Sequence, residues 1–145
     1  MTAPLKTINM IVAALGGEGG GVLTAWLIEV AKRSGWYCQS TSLAGVAQRT
    51  GATIYYLEFI PRSLNQPEPV MSLFPAQGDI DIAVTSEIAE AGRMISRGFI
   101  SPARTTLISS DHRVYGTTEK SAITDGTADA TLLLALSSHY ASRSV

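Results

Sequence analysis

Apolar positions along the first third of the chain fall into runs typical of buried strands and helices. The run over residues 6–14 predicts a buried strand, and the pattern over residues 22–33 predicts a helix that Gly35 ends. Residues 36–43 predict a second strand. The chain therefore opens as a strand, a glycine-rich loop, a helix and a strand, and a right-handed crossover is expected if the two strands are parallel neighbours.

The rest of the chain alternates in the same way. Strands are predicted at residues 52–60, 80–85, 105–109 and 113–115, helices from a cap at Ser86 to Gly98 and over 129–140, and a proline-rich loop over 62–78 with a short extended piece at 70–74. Strands that alternate with helices predict an α/β fold. We expect a Rossmann-like three-layer sandwich with a largely parallel central sheet, in one domain over residues 1–145.

The loop after the first strand contains five of the 13 glycines of the chain, and Glu18 stands among them. These are Gly16, Gly17, Gly19, Gly20 and Gly21. Bare backbone N–H groups at a positive helix N-terminus can approach an anion, so the loop is a candidate phosphate or cofactor site. Close packing of the helix on the strand is the alternative explanation. The carboxylate of Glu18 would repel a phosphate, and we expect it to cap exposed N–H groups or to meet a cation on another subunit.

A second candidate site lies between the second and third predicted strands. Gln48 and Arg49, beside Gly51, can offer an amide and a guanidinium group to a carboxylate or a phosphate. A solvated surface loop is the alternative. Sheet topology normally places ligand-binding loops at such a position, which is why this loop is the second candidate.

Several function classes are disfavoured by the residues themselves. Ala14 replaces the first glycine of a dinucleotide fingerprint, and no lysine follows the glycines as in a Walker loop. A net charge of -1 gives no reason to expect a nucleic-acid or membrane partner. No leader or membrane-spanning pattern is seen, so a cytoplasmic location is expected. Cys38 is the only cysteine and cannot hold a cluster, and His112 and His139 belong to no metal-ligand pattern.

Longer motifs carry a resemblance to a known family. Residues 14–21 read Ala-Leu-Gly-Gly-Glu-Gly-Gly-Gly, and residues 39–56 run from Gln-Ser-Thr-Ser to Thr-Ile-Tyr-Tyr. With these, the chain resembles the gamma-type domain of 2-oxoacid:ferredoxin oxidoreductases. Gly-Asp-Ile-Asp at 78–81 and Ser-Ser-Asp-His-Arg-Val-Tyr at 109–115 make it similar to the beta subunits of the indolepyruvate members.

The resemblance implies a subunit that cannot act alone. Such enzymes decarboxylate a 2-oxoacid on thiamine diphosphate, pass electrons through iron–sulfur clusters to ferredoxin, and transfer the acyl group to coenzyme A. For the indolepyruvate members the substrates are aryl pyruvates. The thiamine diphosphate and the clusters are expected on a partner, the alpha subunit, because this chain lacks the Gly-Asp-Gly pattern with a following asparagine and has one cysteine.

The resemblance also indicates which residues face a ligand or an interface. They are the glycine loop and the loop positions Ser42, Gln48, Arg49, Thr50 and Gly51. The implied role is to pack on the alpha subunit and to shape the channel for the substrate and coenzyme A. A freestanding Rossmann-like nucleotide-binding module and a structural spacer are the alternatives, and a homodimer and a shortened C-terminus are left open.

Overall fold

A computed structural model of the protein describes residues 6–44, 52–63, 67–115 and 129–145. The elements follow in the order β1 (Ile8–Leu15), α1 (Gly20–Arg33), β2 (Trp36–Ala44), β3 (Ala52–Pro61), β4 (Ile82–Thr85), α2 (Ile88–Ser96), β5 (Thr106–Ser109), α3 (Ala130–Tyr140) and β6 (Arg143–Ser144). Most predicted elements are confirmed with bounds that differ by one or two residues. The short β6 was not predicted.

The described strands form one sheet in the order β2-β3-β1-β4-β5-β6. β1, β4, β5 and β6 are parallel to one another, whereas β3 runs antiparallel to both β1 and β2. The first two strands are therefore not neighbours, because β3 lies between β2 and β1, and the condition for the expected crossover is not met. The physical reason is that β3 forms a hairpin with β2 and also takes the central position beside β1, where more of its apolar side chains can be buried.

Side chains that alternate along β1 divide the core into two halves. Met10 and Val12 pack with Leu57 of β3 against α1. Ile11 and Ala13 point to the other face, where they join the buried residues of α2 and the neighbouring α3. Strands buried on both faces are typical of α/β proteins. The three-layer sandwich is thus confirmed.

The start of α2 differs from the prediction in its capping residue. Glu87, not Ser86, is the N-cap, and its carboxylate accepts hydrogen bonds from the N–H groups of Ala89 at 2.9 Å and Glu90 at 3.2 Å. Both residue types can satisfy free N–H groups at a helix start, so the sequence alone did not decide between them. The predicted end is confirmed, because Gly98 follows the helix with a φ of 74°.

Two predicted extended segments are absent from the described residues. Residues 113–115 are irregular, and so are residues 70–74. The first of these segments is held by side-chain bonds instead of a strand ladder, as described below. The final helix, by contrast, begins where predicted, because the Asp129 side chain accepts a hydrogen bond from the N–H of Thr131 at 2.8 Å.

A cluster of polar side chains joins the strands at the amino edge of the sheet, where β1 and β4 begin. Arg104 donates to both oxygens of the Asp81 carboxylate, at 2.8 and 3.0 Å, and also pairs with Asp79. Asn9 donates its backbone N–H to Asp81 and its side-chain amide to Asp79. Burial acts to raise the pKa of Asp81, but the bonds from Arg104 and Asn9 hold it below its usual value.

Candidate functional site

At the opposite, carboxyl edge of the sheet, two loops leave neighbouring strands. The parallel neighbours β1 and β4 end there at Leu15 and Thr85. The loop after β1 leads to α1 on one face of the sheet, whereas the loop after β4 leads to α2 on the other face. Loops that diverge in this way form the crevice in which α/β proteins usually bind ligands.

The first half of the glycine loop is exposed at the mouth of this crevice. Gly16, Gly17 and Gly19 are all exposed to solvent. Gly17 and Gly19 have φ angles of 86° and 79°, in the left-handed region that side chains disfavour, and Gly19 is the N-cap of α1. The backbone geometry of the turn therefore requires glycine at these two positions.

The second half of the glycine loop packs closely on the sheet. A Cβ atom on Gly20 would lie 2.6 Å from the Cβ of Ala14 and 3.1 Å from the ring of Tyr55. One on Gly21 would lie 3.2 Å from the Tyr55 hydroxyl. Close packing of α1 on β1 and β3 thus explains these two glycines, which is the alternative that the sequence had left open.

Glu18 of the glycine loop contacts the loop that follows β4. Its carboxylate accepts a hydrogen bond from the N–H of Leu15 at 3.3 Å and another from the hydroxyl of Ser86. The same Leu15 N–H also donates to the Ser86 oxygen at 3.2 Å. Glu18 therefore accepts a hydrogen bond from a backbone N–H group of its own chain and places its negative charge at the glycine loop.

The second candidate loop starts and ends at the same edge of the sheet. Gln48, Arg49, Thr50 and Gly51 lie outside the described residues. The strands on either side place the loop's two ends, because Ala44 pairs with Thr53 and Ala52 pairs with Leu15. Ser42, which pairs with Tyr55, is exposed on β2. Of the residues predicted for the second loop, only Ser42 lies within the described part of the chain, and it stands near the carboxyl end of β2.

Sequence reasoning missed a buried ion pair beside the crevice. The Glu87 carboxylate accepts hydrogen bonds from the guanidinium of Arg113 at 2.7 Å and from the N–H of Val114 at 3.2 Å. The N–H of Ile88 donates to the carbonyl of His112 at 3.1 Å. In the sequence, a glutamate before an apolar helix indicates only a favourable interaction with the helix dipole. The spacing between Glu87 and Arg113 matches no known motif, so it did not point to this ion pair. The pair fixes residues 112–114 against the start of α2.

Other titratable groups lie away from the crevice. Burial raises the pKa of Glu90, although the neighbouring Arg93 acts to lower it. Burial also raises the pKa of the Cys38 thiol to about 11, so this residue is a poor nucleophile at neutral pH. Within the described ranges, no group of three His, Cys, Asp or Glu side chains could hold a metal ion. None of the described helices is long and apolar enough to cross a membrane.

The fold and its crevice define an α/β sandwich with a candidate site at the carboxyl edge, and the sequence assigns it to a family. The model of the pyruvate ferredoxin/flavodoxin oxidoreductase family matches residues 9–137. The chain therefore belongs to this family. A comparison with curated protein sequences gives no match.

Three solved structures are similar in fold. A 2-oxoglutarate:ferredoxin oxidoreductase from Magnetococcus marinus, with 2-oxoglutarate, coenzyme A and succinyl-CoA bound, matches 83% of this chain with a TM-score of 0.53 and 16% identity. A pyruvate oxidoreductase subunit from Thermotoga maritima matches 72% of this chain, with 19% identity and a TM-score of 0.42. The gamma subunit of a keto/oxoacid ferredoxin oxidoreductase from Geobacter sulfurreducens matches 77%, with 14% identity and a TM-score of 0.43.

This chain corresponds to only part of each of these proteins. It covers 19% of the Magnetococcus chain, 49% of the Thermotoga chain and 57% of the Geobacter chain. At 16% identity the similarity to the Magnetococcus protein supports the fold alone.

Proposed function

We propose that this chain is a subunit domain of a thiamine diphosphate-dependent 2-oxoacid:ferredoxin oxidoreductase. It packs on the catalytic alpha subunit, helps form the channel for the substrate and coenzyme A, and is inactive alone. The observation that carries the proposal is the family match over residues 9–137. The fold similarity to an oxidoreductase with a 2-oxoacid and coenzyme A bound agrees with it.

The proposed substrates are aryl pyruvates such as indolepyruvate. This choice rests on the motifs at residues 78–81 and 109–115, which resemble the indolepyruvate members. In the fold, the second motif includes the segment that Glu87 holds against α2 at the carboxyl edge. The residues of the second motif thus lie at the carboxyl edge, where a channel wall would be formed, whereas residues 78–81 lie at the amino edge.

The redox and thiamine groups belong to the partner in this proposal. An iron–sulfur cluster needs several thiolates, and Cys38, the only cysteine of the chain, lies half-buried on β2 with a raised pKa. The donor set of this chain therefore does not fit a cluster. Electrons reach ferredoxin through the complex, which we place in the cytoplasm.

The carboxyl edge is the part of this chain that we assign to the channel. The glycine loop begins after Leu15 of β1, and the polar loop over residues 45–51 ends at Ala52 of β3, which pairs with Leu15. Arg49 is the residue that we expect to meet a substrate carboxylate or a coenzyme A phosphate, because a guanidinium binds such groups in a forked geometry. Glu18 is expected to orient the loop through Ser86 and not to touch the anion.

Reconstitution with the alpha subunit tests the proposal. The isolated chain should show no 2-oxoacid oxidation, and activity with ferredoxin should appear only when the alpha subunit is added. Arg49→Ala should lower the kcat/KM of the reconstituted enzyme, whereas Arg62→Ala, a control at an exposed arginine beyond β3, should leave it unchanged. Failure of the two wild-type chains to associate would contradict the proposal.

Calorimetry distinguishes the subunit proposal from its alternative, a freestanding nucleotide-binding module. That module predicts micromolar binding of NAD or ATP by the lone chain. The subunit proposal expects neither, because Ala14 departs from the dinucleotide fingerprint and Glu18 places a negative charge in the crevice.

A further inference from the structure

Residues 85–88 join the end of β4 to the start of α2, and we call them the connector. The backbone of the connector is bonded on two sides. The N–H of Ser86 donates to the carbonyl of Ala13 in β1 at 3.0 Å, and the N–H of Ile88 donates to the carbonyl of His112 at 3.1 Å. These are bonds between backbone groups, so the connector keeps its place between β1 and the segment after β5 when one of its side chains is changed.

The hydroxyl of Ser86 is not needed to start α2, because the carboxylate of Glu87 caps the helix. Instead, the Ser86 hydroxyl accepts a hydrogen bond from the N–H of Leu15 at 3.2 Å and donates one to the carboxylate of Glu18. Within the described part of the chain, both bonds of this hydroxyl thus go to the end of β1 and the loop that follows it. Helix capping therefore does not account for a serine at this position.

The glycine turn that receives these bonds is not held in place by packing. Gly17 and Gly19 are exposed, and a Cβ atom added to either would meet no other atom within 4 Å. The N–H of Glu18 donates to the carbonyl of Leu15 at 3.1 Å, which closes the turn on itself but does not tie it to the neighbouring loop. Among the residues that the structure describes, the Ser86 hydroxyl is the group that ties this turn to the connector.

The next side chain of the connector holds a second segment of the chain. The Glu87 carboxylate accepts hydrogen bonds from the guanidinium of Arg113 at 2.7 Å and from the N–H of Val114 at 3.2 Å. Ser86 and Glu87 are adjacent, so their side chains bond the glycine loop and residues 112–114 from neighbouring positions of one anchored backbone. The proposed function assigns both of these segments to the wall of the channel. Two consecutive residues thus set the distance between them.

We propose that Ser86 is a positioning residue of the channel, whose hydroxyl holds the glycine loop in a fixed place relative to residues 112–114. This inference rests on the proposed function. Ser86 itself does not touch a ligand in this account. It acts through Glu18 and Leu15, which set the direction of the exposed backbone of the loop.

A positioning role predicts a particular change in the kinetics. A loop that is already held in its binding geometry loses little conformational freedom when a ligand binds. Without the Ser86 hydroxyl, the ligand itself must order the turn over residues 16–19, which weakens binding in the ground state and in the transition state alike. Such a loss raises KM and leaves kcat nearly unchanged. A general loss of folded protein would instead lower the apparent kcat.

Kinetics of the reconstituted enzyme test this role. Ser86→Ala should raise the KM of the 2-oxoacid or of coenzyme A about threefold or more, while kcat stays within about twofold of the wild type. Ser86→Thr keeps a hydroxyl group at this position and should restore the wild-type KM. Ser96→Ala is the matched control, because Ser96 is an exposed serine at the far end of α2 whose hydroxyl donates to the carbonyl of Arg93. It should change neither KM nor kcat.

Amide hydrogen exchange of this chain without its partner tests the contact independently of activity. Ser86→Ala should speed exchange of the Leu15 amide about fivefold or more, because that N–H loses an acceptor. The amides of Ile88 and Val114, which are bonded on the other side of the connector, should exchange as in the wild type. Glu18→Ala, at an exposed residue, removes the same contact from the loop side, and the double variant should exchange no faster than the faster single variant.

The outcomes distinguish this role from the proposed function. If the wild-type chains form an active enzyme and Ser86→Ala leaves the KM of both ligands unchanged, the positioning role is overturned and the function stands. The role is also overturned if Ser86→Thr fails to restore KM, or if the Ile88 and Val114 amides exchange as fast as the Leu15 amide in Ser86→Ala. If the wild-type chains do not associate, the proposed function is overturned and the channel role of Ser86 with it.

Discussion

The carboxylate of Glu87 lies 2.7 Å from the guanidinium of Arg113, and both side chains are almost removed from solvent. Glu87 uses its other oxygen to cap α2. The Glu87 carboxylate therefore caps a helix, forms an ion pair and accepts a hydrogen bond from the N–H of Val114. The segment after β5 is held against the start of α2 by this residue.

Removal of the Glu87 carboxylate should strongly destabilise the fold. Glu87→Ala is expected to lower the free energy of unfolding by about 3–5 kcal/mol, because it leaves the Arg113 charge buried without its carboxylate. Urea denaturation measures this change. Glu68→Ala, at an exposed glutamate, should stay within about 0.5 kcal/mol of the wild type. Equal stability of the two variants would show that the ion pair is not buried in solution.

Close packing at Gly20 should be visible in a double-mutant cycle. Gly20→Ala is expected to cost about 1–3 kcal/mol of stability, because its Cβ would lie 2.6 Å from that of Ala14. Ala14→Gly should recover part of the loss in the double variant. Gly21→Ala should cost less, since its nearest contact is the Tyr55 hydroxyl at 3.2 Å. Additive effects of the Gly20 and Ala14 changes would contradict this packing.

The Cys38 thiol should react slowly in the folded protein. Burial raises its pKa from 9.0 to about 11, which lowers the thiolate fraction at pH 8 about 100-fold. Alkylation by iodoacetamide at pH 8 should therefore be slower in the native protein than in urea by about that factor. Lys32→Ala should slow the native reaction further, because Lys32 acts to lower the pKa. Similar alkylation rates in the native protein and in urea would contradict the raised pKa of the Cys38 thiol.

Tyr56 should make stability fall at alkaline pH. Burial, assisted by the charge of Glu58, raises the pKa of its phenol from 10.0 to about 12. Because the folded protein holds this proton more tightly than the unfolded chain, its contribution is complete below pH 10 and is lost as the pH rises towards 12. Tyr56→Phe loses the hydrogen bond to Asn9 and should be about 1 kcal/mol less stable at pH 7. Thermal melts should show this difference narrowing above pH 10.

The order and type of most elements could be predicted because they depend on local signals. The switch from strand to helix at the glycine loop, the stop at Gly98 and the cap at Asp129 are each set by a few adjacent residues. The placement of β3 depends on pairing between distant segments, which periodicity does not report. The insertion of β3 between β2 and β1 was missed for that reason.

The position of the glycine loop could be predicted from the sequence, but its supporting contacts could not. Glycine content and the strand pattern identified this loop, which the structure places at the carboxyl edge after β1. The bond from Ser86 to Glu18 and the pair between Glu87 and Arg113 join residues 68 and 26 positions apart. No spacing rule links residues at such separations, so only the folded chain shows that Ser86 belongs to the crevice and Glu87 to the helix cap.

The two ends of the sandwich are built in different ways, and this bears on how such a domain can diversify. At the amino edge, Arg104, Asp79, Asp81 and Asn9 cross-link three chain segments, and a change in any one of them disturbs the others. At the carboxyl edge, the exposed turn over Gly16, Gly17 and Gly19 is held to the loop after β4 mainly by Glu18 and Ser86. The turns at the carboxyl edge can therefore change during evolution and give new specificities, while the cross-linked amino edge preserves the scaffold.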